Sequence, residues 1–141
     1  MPEVVLRSHG AFRNEIQIDK HSLIADEPES AGGTDQGPNP YDLLAAALGA
    51  CTSMTLTFYA KREKFPLEGA EVRVSHSRSH AKDCADCLTQ EGYVHNFDVT
   101  IKLEGPLTPE QKQKLLEVAR RCPVRKTLTS QIRVTESLKE D

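Results

Sequence analysis

Residues 39–64 place the hardest constraint on how this chain can fold. Leu43 through Cys51 is apolar nearly all round, and Met54, Leu56, Phe58 and Tyr59 extend the run until Lys61-Arg-Glu-Lys64 turns polar. The start carries helix chemistry. Asn39 is a good N-cap, Pro40 suits the first helical position, and Asp42 sets a carboxylate near the positive end of the dipole. Pro66 closes the segment, because its ring cannot continue a helix. A helix apolar on most sides must be covered on most sides. In a chain of 141 residues that requires a sheet and a second subunit, so the expectation is a long buried central helix inside a homodimer.

The flanking sequence alternates instead of repeating at helical spacing. Val4-Val-Leu6, Phe12 to Ile18 and His21 to Ala25 read as strands. Phe12, Asn14, Ile16 and Ile18 lie on one face, Arg13, Glu15 and Gln17 on the other, and Asp19-Lys20 forms a hairpin turn. Residues 27–38, with Pro28, Gly32, Gly33, Gly37 and Pro38, read as a loop. Beyond the helix, Ala70 to Ser77 and Val94 to Leu103 are further strands, and Gly105-Pro106 is a turn. Thr108-Pro-Glu-Gln111 opens a second helix with a capping box, whose apolar face is Leu115, Leu116, Val118 and Ala119. Cys122-Pro123 interrupts it, and Ile132-Arg-Val134 reads as a last short strand. This order is α+β with antiparallel sheets, in one domain spanning 1–141.

Composition narrows the function. Eighteen Lys and Arg against 21 Asp and Glu leave a net charge of −3, which gives no basis for binding nucleic acid or an anionic membrane. There is no tryptophan, and the aromatics do not alternate with basic residues, so a base-stacking surface is not expected. The N-terminus lacks the apolar core of a signal peptide, and no run approaches the roughly 18 apolar residues of a membrane span. The expected compartment is the cytoplasm. Structural disulfides are rare there, so four cysteines point to redox chemistry, metal binding or burial as filler.

Two of the four are the main candidates. Cys122 is followed by Pro123 at the start of a new turn, with Arg120, Arg121, Arg125 and Lys126 around it, and both features favour a thiolate. Cys51 has only uncharged helical neighbours, so desolvation should raise its pKa unless an arginine arrives from elsewhere. Read from local sequence alone, Cys51 fits better as a small buried apolar side chain, and Cys122 fits that role and a reactive one alike.

The longer pattern adds to this. Gly32-Gly-Thr-Asp-Gln-Gly-Pro-Asn-Pro-Tyr-Asp-Leu-Leu-Ala-Ala-Ala-Leu-Gly-Ala-Cys51, with the later Cys122-Pro-Val-Arg-Lys-Thr-Leu128, resembles the OsmC-like family, which includes the osmotically inducible protein C and organic hydroperoxide resistance branches. The resemblance covers almost the whole chain. It implies an intertwined homodimer with its site at the subunit interface and no metal or organic cofactor. It also implies a thiol peroxidase. Cys51 attacks the peroxide and becomes a sulfenic acid, Cys122 condenses with it to a disulfide, and an external dithiol restores the pair.

The family holds the first thiolate with an arginine and a glutamate. Arg13 is the candidate for the first, ahead of Arg7. For the second this chain has Tyr41 at the family position and Asp42 beside it. Asp42 lies roughly 13 Å from Cys51 along the helix and about half a turn out of phase, so it reads as a cap. The departure at Tyr41 opens an alternative: a binding module without turnover, holding an apolar ligand in the dimer cleft or zinc at the Cys84/Cys87 loop. That loop carries His76, His80, Cys84 and Cys87, with His95 nearby. Cys-x2-Cys is a zinc-ligand spacing that imidazoles can complete, though the same two thiols can form a small redox pair or do nothing specific.

Overall fold

The computed structural model describes residues 2–84 and 91–139. It has two compact units, Met1–Ala46 and Ala47–Asp141.

In the first unit β1 (Val4–Ser8), β2 (Asn14–Ile18) and β3 (His21–Ala25) form an antiparallel sheet in that order. Ile18 pairs with His21, so Asp19-Lys20 is the two-residue turn, with Asp19 left-handed at φ 54. Alternation does its work on β2, where Ile16 is buried while Glu15 and Gln17 are exposed. Phe12 falls outside the strand and is exposed.

The loop that follows is organised by one buried carboxylate. Asp26 accepts from the Glu27 N–H (2.8 Å), the Thr34 hydroxyl (2.8 Å) and the Gln36 N–H (3.1 Å). Gly37 passes so close to the Ile24 carbonyl that a Cβ would overlap it, which explains why a glycine stands there. Burial alone would raise the Asp26 pKa. The hydrogen bonds from Gln36, Thr34 and Glu27 outweigh that and hold it below its ordinary 3.8. A depressed carboxylate pKa contributes stability in full above the unfolded value, and the contribution is lost as pH falls through the folded one. We therefore expect Asp26→Asn to lower stability at pH 7, and the gap between variant and parent to begin narrowing as pH falls below about 4. Urea denaturation at pH 7 and pH 3 measures this; a gap independent of pH would contradict it.

Helix α1 (Pro40–Glu63) begins at a reciprocal cap. The Asp42 N–H donates to Asn39 Oδ1 (2.8 Å), and the Asn39 N–H donates to Asp42 Oδ2 (3.1 Å). Asp42 is thus engaged in capping, as its position suggests. Lys64, left-handed at φ 59, terminates the helix. By length and composition α1 could cross a membrane, which corrects the expectation that no segment approaches that test. A core helix passes the same test.

Burial along α1 is narrower than its composition suggests. Leu48, Thr52, Leu56 and Ala60 are buried, a stripe at i, i+4 spacing, whereas Met54 (70%) and Phe58 (69%) stay exposed in the single chain.

In the second unit β4 (Gly69–His80) and β5 (Tyr93–Glu104) form a long antiparallel hairpin. Gly49 lets α1 approach β4 closely, since a Cβ there would lie 3.2 Å from Val74 Cγ2. α2 (Pro109–Ala119) opens with the Thr108–Gln111 capping box, both bonds made at 3.0–3.1 Å. The core is Leu56 and Ala60 of α1 against Leu115, Val118 and Ala119 of α2, lined by Tyr59, Phe65, Ile101 and Leu103. α3 (Pro123–Leu128) has Cys122 as its N-cap. Ile132-Arg-Val134 is not a strand, and Ile132 and Val134 are exposed. A strand needs a neighbouring edge to satisfy its N–H and C=O groups, and this segment pairs with none among the described residues.

Candidate active site

Helix packing brings the two candidate thiols together. Cys51 lies half-buried midway along α1, Cys122 is completely buried at the start of α3, and both are free. Their side chains are hydrogen-bonded to each other. The surroundings split the pair. Burial pushes the Cys51 thiol up, and the Cys122 sulfur pushes it further, more than the Val124 N–H and the Thr55 hydroxyl pull it down. Burial also acts upward on Cys122, but four donors outweigh it: the Cys51 thiol, the Arg125 N–H, the Thr52 hydroxyl and the Val124 N–H. Of the two, Cys122 is therefore the thiol whose ionised form is favoured, and Cys51 the one whose protonated form is favoured.

Access is divided the other way. Cys51 opens into a shallow groove lined by Ala47, Ala50, Met54, Phe58, Arg121 and Pro123. The sulfur whose ionisation is disfavoured is the one that meets solutes. Thr55 lines the groove as well, and the groove's one charged residue is Arg121, whose Cζ also lies 5.9 Å from the Tyr59 ring centre.

Thr52 is a group that sequence reasoning passed over. Its hydroxyl donates to the Leu48 carbonyl (2.8 Å) and also bonds Cys122. One hydroxyl carries one proton, so donation to the sulfur competes with donation to the carbonyl. Thr52→Val should raise the pH at which Cys122 ionises, and Thr52→Ser should restore it. Residue-specific NMR of ¹³Cβ-labelled cysteine, followed against pH, reads this directly. A Cys122 transition unmoved by valine would remove Thr52 from the site.

The other expected residues have surroundings of their own. Arg13 pairs with Glu15 (3.1 Å), its Nε has no hydrogen-bond partner among the described residues, and it lines a cavity of the first unit together with Arg7. Tyr41 lies half-exposed in the first turn of α1. On the hairpin, His76 meets His95 rather than His80. Their rings stack with Nε2 and Nδ1 2.9 Å apart, and Phe97 packs on His76. His80 packs on Tyr93 instead. Cys84 is disulfide-bonded and so has no thiolate to offer zinc; Cys87 lies outside the described residues. Among the described residues no group of three or more His, Cys, Asp or Glu is arranged to hold a metal ion.

Solved structures share this fold. An OsmC-like protein from Mycoplasma pneumoniae superposes with a TM-score of 0.73 at 18% identity, over 91% of this chain and 86% of that one. An organic hydroperoxide resistance protein from Elizabethkingia anophelis, solved with thiocyanate bound, gives 0.66 at 20% identity over 92% and 89%. The organic hydroperoxide resistance protein OsmC of Legionella pneumophila gives 0.65 at 19% over 90% and 89%. Identities this low speak to the fold alone. No curated protein matches the sequence. The family model for OsmC-like proteins matches residues 33–137, a span that contains both thiols of the site, the second half of the glycine-rich loop and α1. The chain belongs to the OsmC-like protein family.

Proposed function

We propose that this chain is a thiol-dependent peroxidase of the OsmC-like type, a single domain working as a cytoplasmic homodimer that reduces organic hydroperoxides or hydrogen peroxide. The hydrogen-bonded contact between Cys51 and Cys122 carries the reading. The apolar groove at Cys51 suits an alkyl hydroperoxide, and solved relatives are named for resistance to organic hydroperoxides.

The division of proton and charge suggests how the pair works. Cys51 sulfur attacks the distal peroxide oxygen while its proton passes to the Cys122 thiolate, which acts as general base. The O–O bond breaks, the alkoxide leaves and takes a proton from solvent, and Cys51 is left as sulfenic acid. Cys122 then gives up its proton and attacks the Cys51 sulfur. A disulfide forms and the sulfenic oxygen leaves as water. Two electrons have passed from the thiols to the peroxide, and an external dithiol returns them by exchange.

Of the arginines, Arg121 lines the Cys51 groove itself, and we assign it the attraction of the polar peroxide end. The role that the family resemblance gives Arg13 is tested by the same assay on Arg13→Ala. The exposed Met54 and Phe58 beside the groove are the surface we assign to the dimer contact.

The test is consumption of cumene hydroperoxide with dithiothreitol as reductant, with sedimentation equilibrium on the same sample. The proposal expects catalytic turnover from a species of twice the chain mass. Consumption no faster than that of free cysteine, from a folded dimer, would favour the rival reading that Tyr41 motivates: a family member that binds an apolar ligand without turning over peroxide.

A further inference from the structure

The Ala47–Asp141 unit holds a second cavity of about 560 Å³, opening on a different stripe of α1 from the Cys51 groove. Its walls are mainly apolar, with Phe97 and Val99 of β5, Leu116 of α2 and Leu128 of α3, and they also carry the polar side chains of His95, Thr52 and Thr129. Arg120 and Arg125 line it as well. Neither forms an ion pair among the described residues, where ion pairs fall instead on residues such as Lys114 and Glu117. No Asp or Glu contributes to the lining.

A largely apolar chamber with two arginines, a histidine and no carboxylate is complementary to one kind of small molecule. The walls gain by excluding water from hydrocarbon, at roughly 25 cal/mol per Å². Each planar guanidinium offers a fork of N–H donors that matches a carboxylate. The volume lies within the roughly 300–1,000 Å³ of small-molecule sites. We propose that this cavity binds a medium-chain aliphatic carboxylate, with its chain along β5 and its head group at Arg120 and Arg125.

The proposal does not rest on peroxide turnover, although the cavity adjoins the dithiol. Thr52 lines the cavity and bonds Cys122, and the Arg125 N–H bonds Cys122 while its residue lines the cavity. A bound carboxylate would therefore touch residues that hold the thiolate.

Isothermal titration of the full chain with decanoate, with decyltrimethylammonium as the cationic control of equal chain length, tests the proposal. The expected result is one saturable decanoate site per chain. Affinity should fall at least about tenfold in the Arg120→Gln/Arg125→Gln double variant, the loss of charge-assisted hydrogen bonds. Decyltrimethylammonium should show no saturable binding. The variant's circular dichroism should match the parent's; if it does not, the single variants Arg120→Gln and Arg125→Gln are titrated in its place, and unchanged affinity in both overturns the proposal. Three other results overturn it: no saturable decanoate binding, equal binding of the cationic control, or binding unchanged in a folded double variant, which would put the ligand in the Cys51 groove. A structure of the dimer with the partner's chain filling the cavity would also overturn it.

Discussion

Cys51→Ser should reduce hydroperoxide consumption to the background of free thiols, while Cys122→Ser should slow it and change its product. Serine at 51 removes the only one of the paired sulfurs that the groove exposes, and no buried thiolate can substitute for it at the surface. Serine at 122 removes two functions at once. The first step loses its proton acceptor, a loss worth roughly 10²-fold or more. The sulfenic acid also loses its partner, so Cys51 proceeds to sulfinic acid under excess peroxide. Stopped-flow rates with intact-protein mass spectrometry separate the cases. Equal residual activity in the two variants would mean that the sulfurs do not divide the labour as their surroundings divide proton and charge.

The second large effect concerns the scaffold. Leu56 is fully buried and packs on Ala60, Leu115, Val118 and Ala119. Leu56→Ala removes its methyl groups and leaves a cavity, at a cost of about 2–5 kcal/mol, against a typical total of about 5–15 kcal/mol for a domain. Urea denaturation should show this as a large drop in midpoint with little change in slope. The effect should reach the chemistry. α1 carries Cys51, and the end of α2 leads directly into Cys122. Loosening the α1–α2 contact should therefore slow disulfide closure more than it slows the first oxidation. A variant within 1 kcal/mol of the parent would show that this contact does not hold the two helices together.

Much of this architecture could be read from residues whose chemistry is local. Asn39 and Asp42, Thr108 and Gln111, and the Asp19-Lys20 turn each satisfy backbone groups within a few positions, so their roles need no knowledge of tertiary contacts. Glycines and Pro38 mark the loop before α1, yet that Asp26 organises it depends on residues up to ten positions away. Ile132 to Val134 has a strand's alternation without a strand's neighbour, and alternation alone cannot supply a pairing edge. The even apolar character of α1 conceals which stripe is buried, because composition without periodicity carries no direction.

At the site, the directions of the two thiols were legible from desolvation at Cys51 and the free N–H groups after Cys122. The neighbouring arginine charges expected to help are not among the causes. The mutual contact of the thiols was not legible, since it depends on how α3 returns to α1. Thr52, Thr55 and the reach of the Val124 N–H to Cys51 were hidden for the same reason: each matters through its angle around a helix or its place in a turn, not through its residue type. The arginine is instructive. Sequence pointed to Arg13, which pairs with Glu15 in the first unit, whereas Arg121, adjacent in sequence to the other cysteine, lines the groove of Cys51.

The account turns on whether Cys51 and Cys122 act as one redox unit. Fully reduced protein treated with one equivalent of cumene hydroperoxide, alkylated, digested and analysed by mass spectrometry tests that claim most directly. The account predicts a peptide pair joined through Cys51 and Cys122, cleaved again by dithiothreitol. Recovery of both residues alkylated, with the peroxide unconsumed and the protein folded, would contradict it.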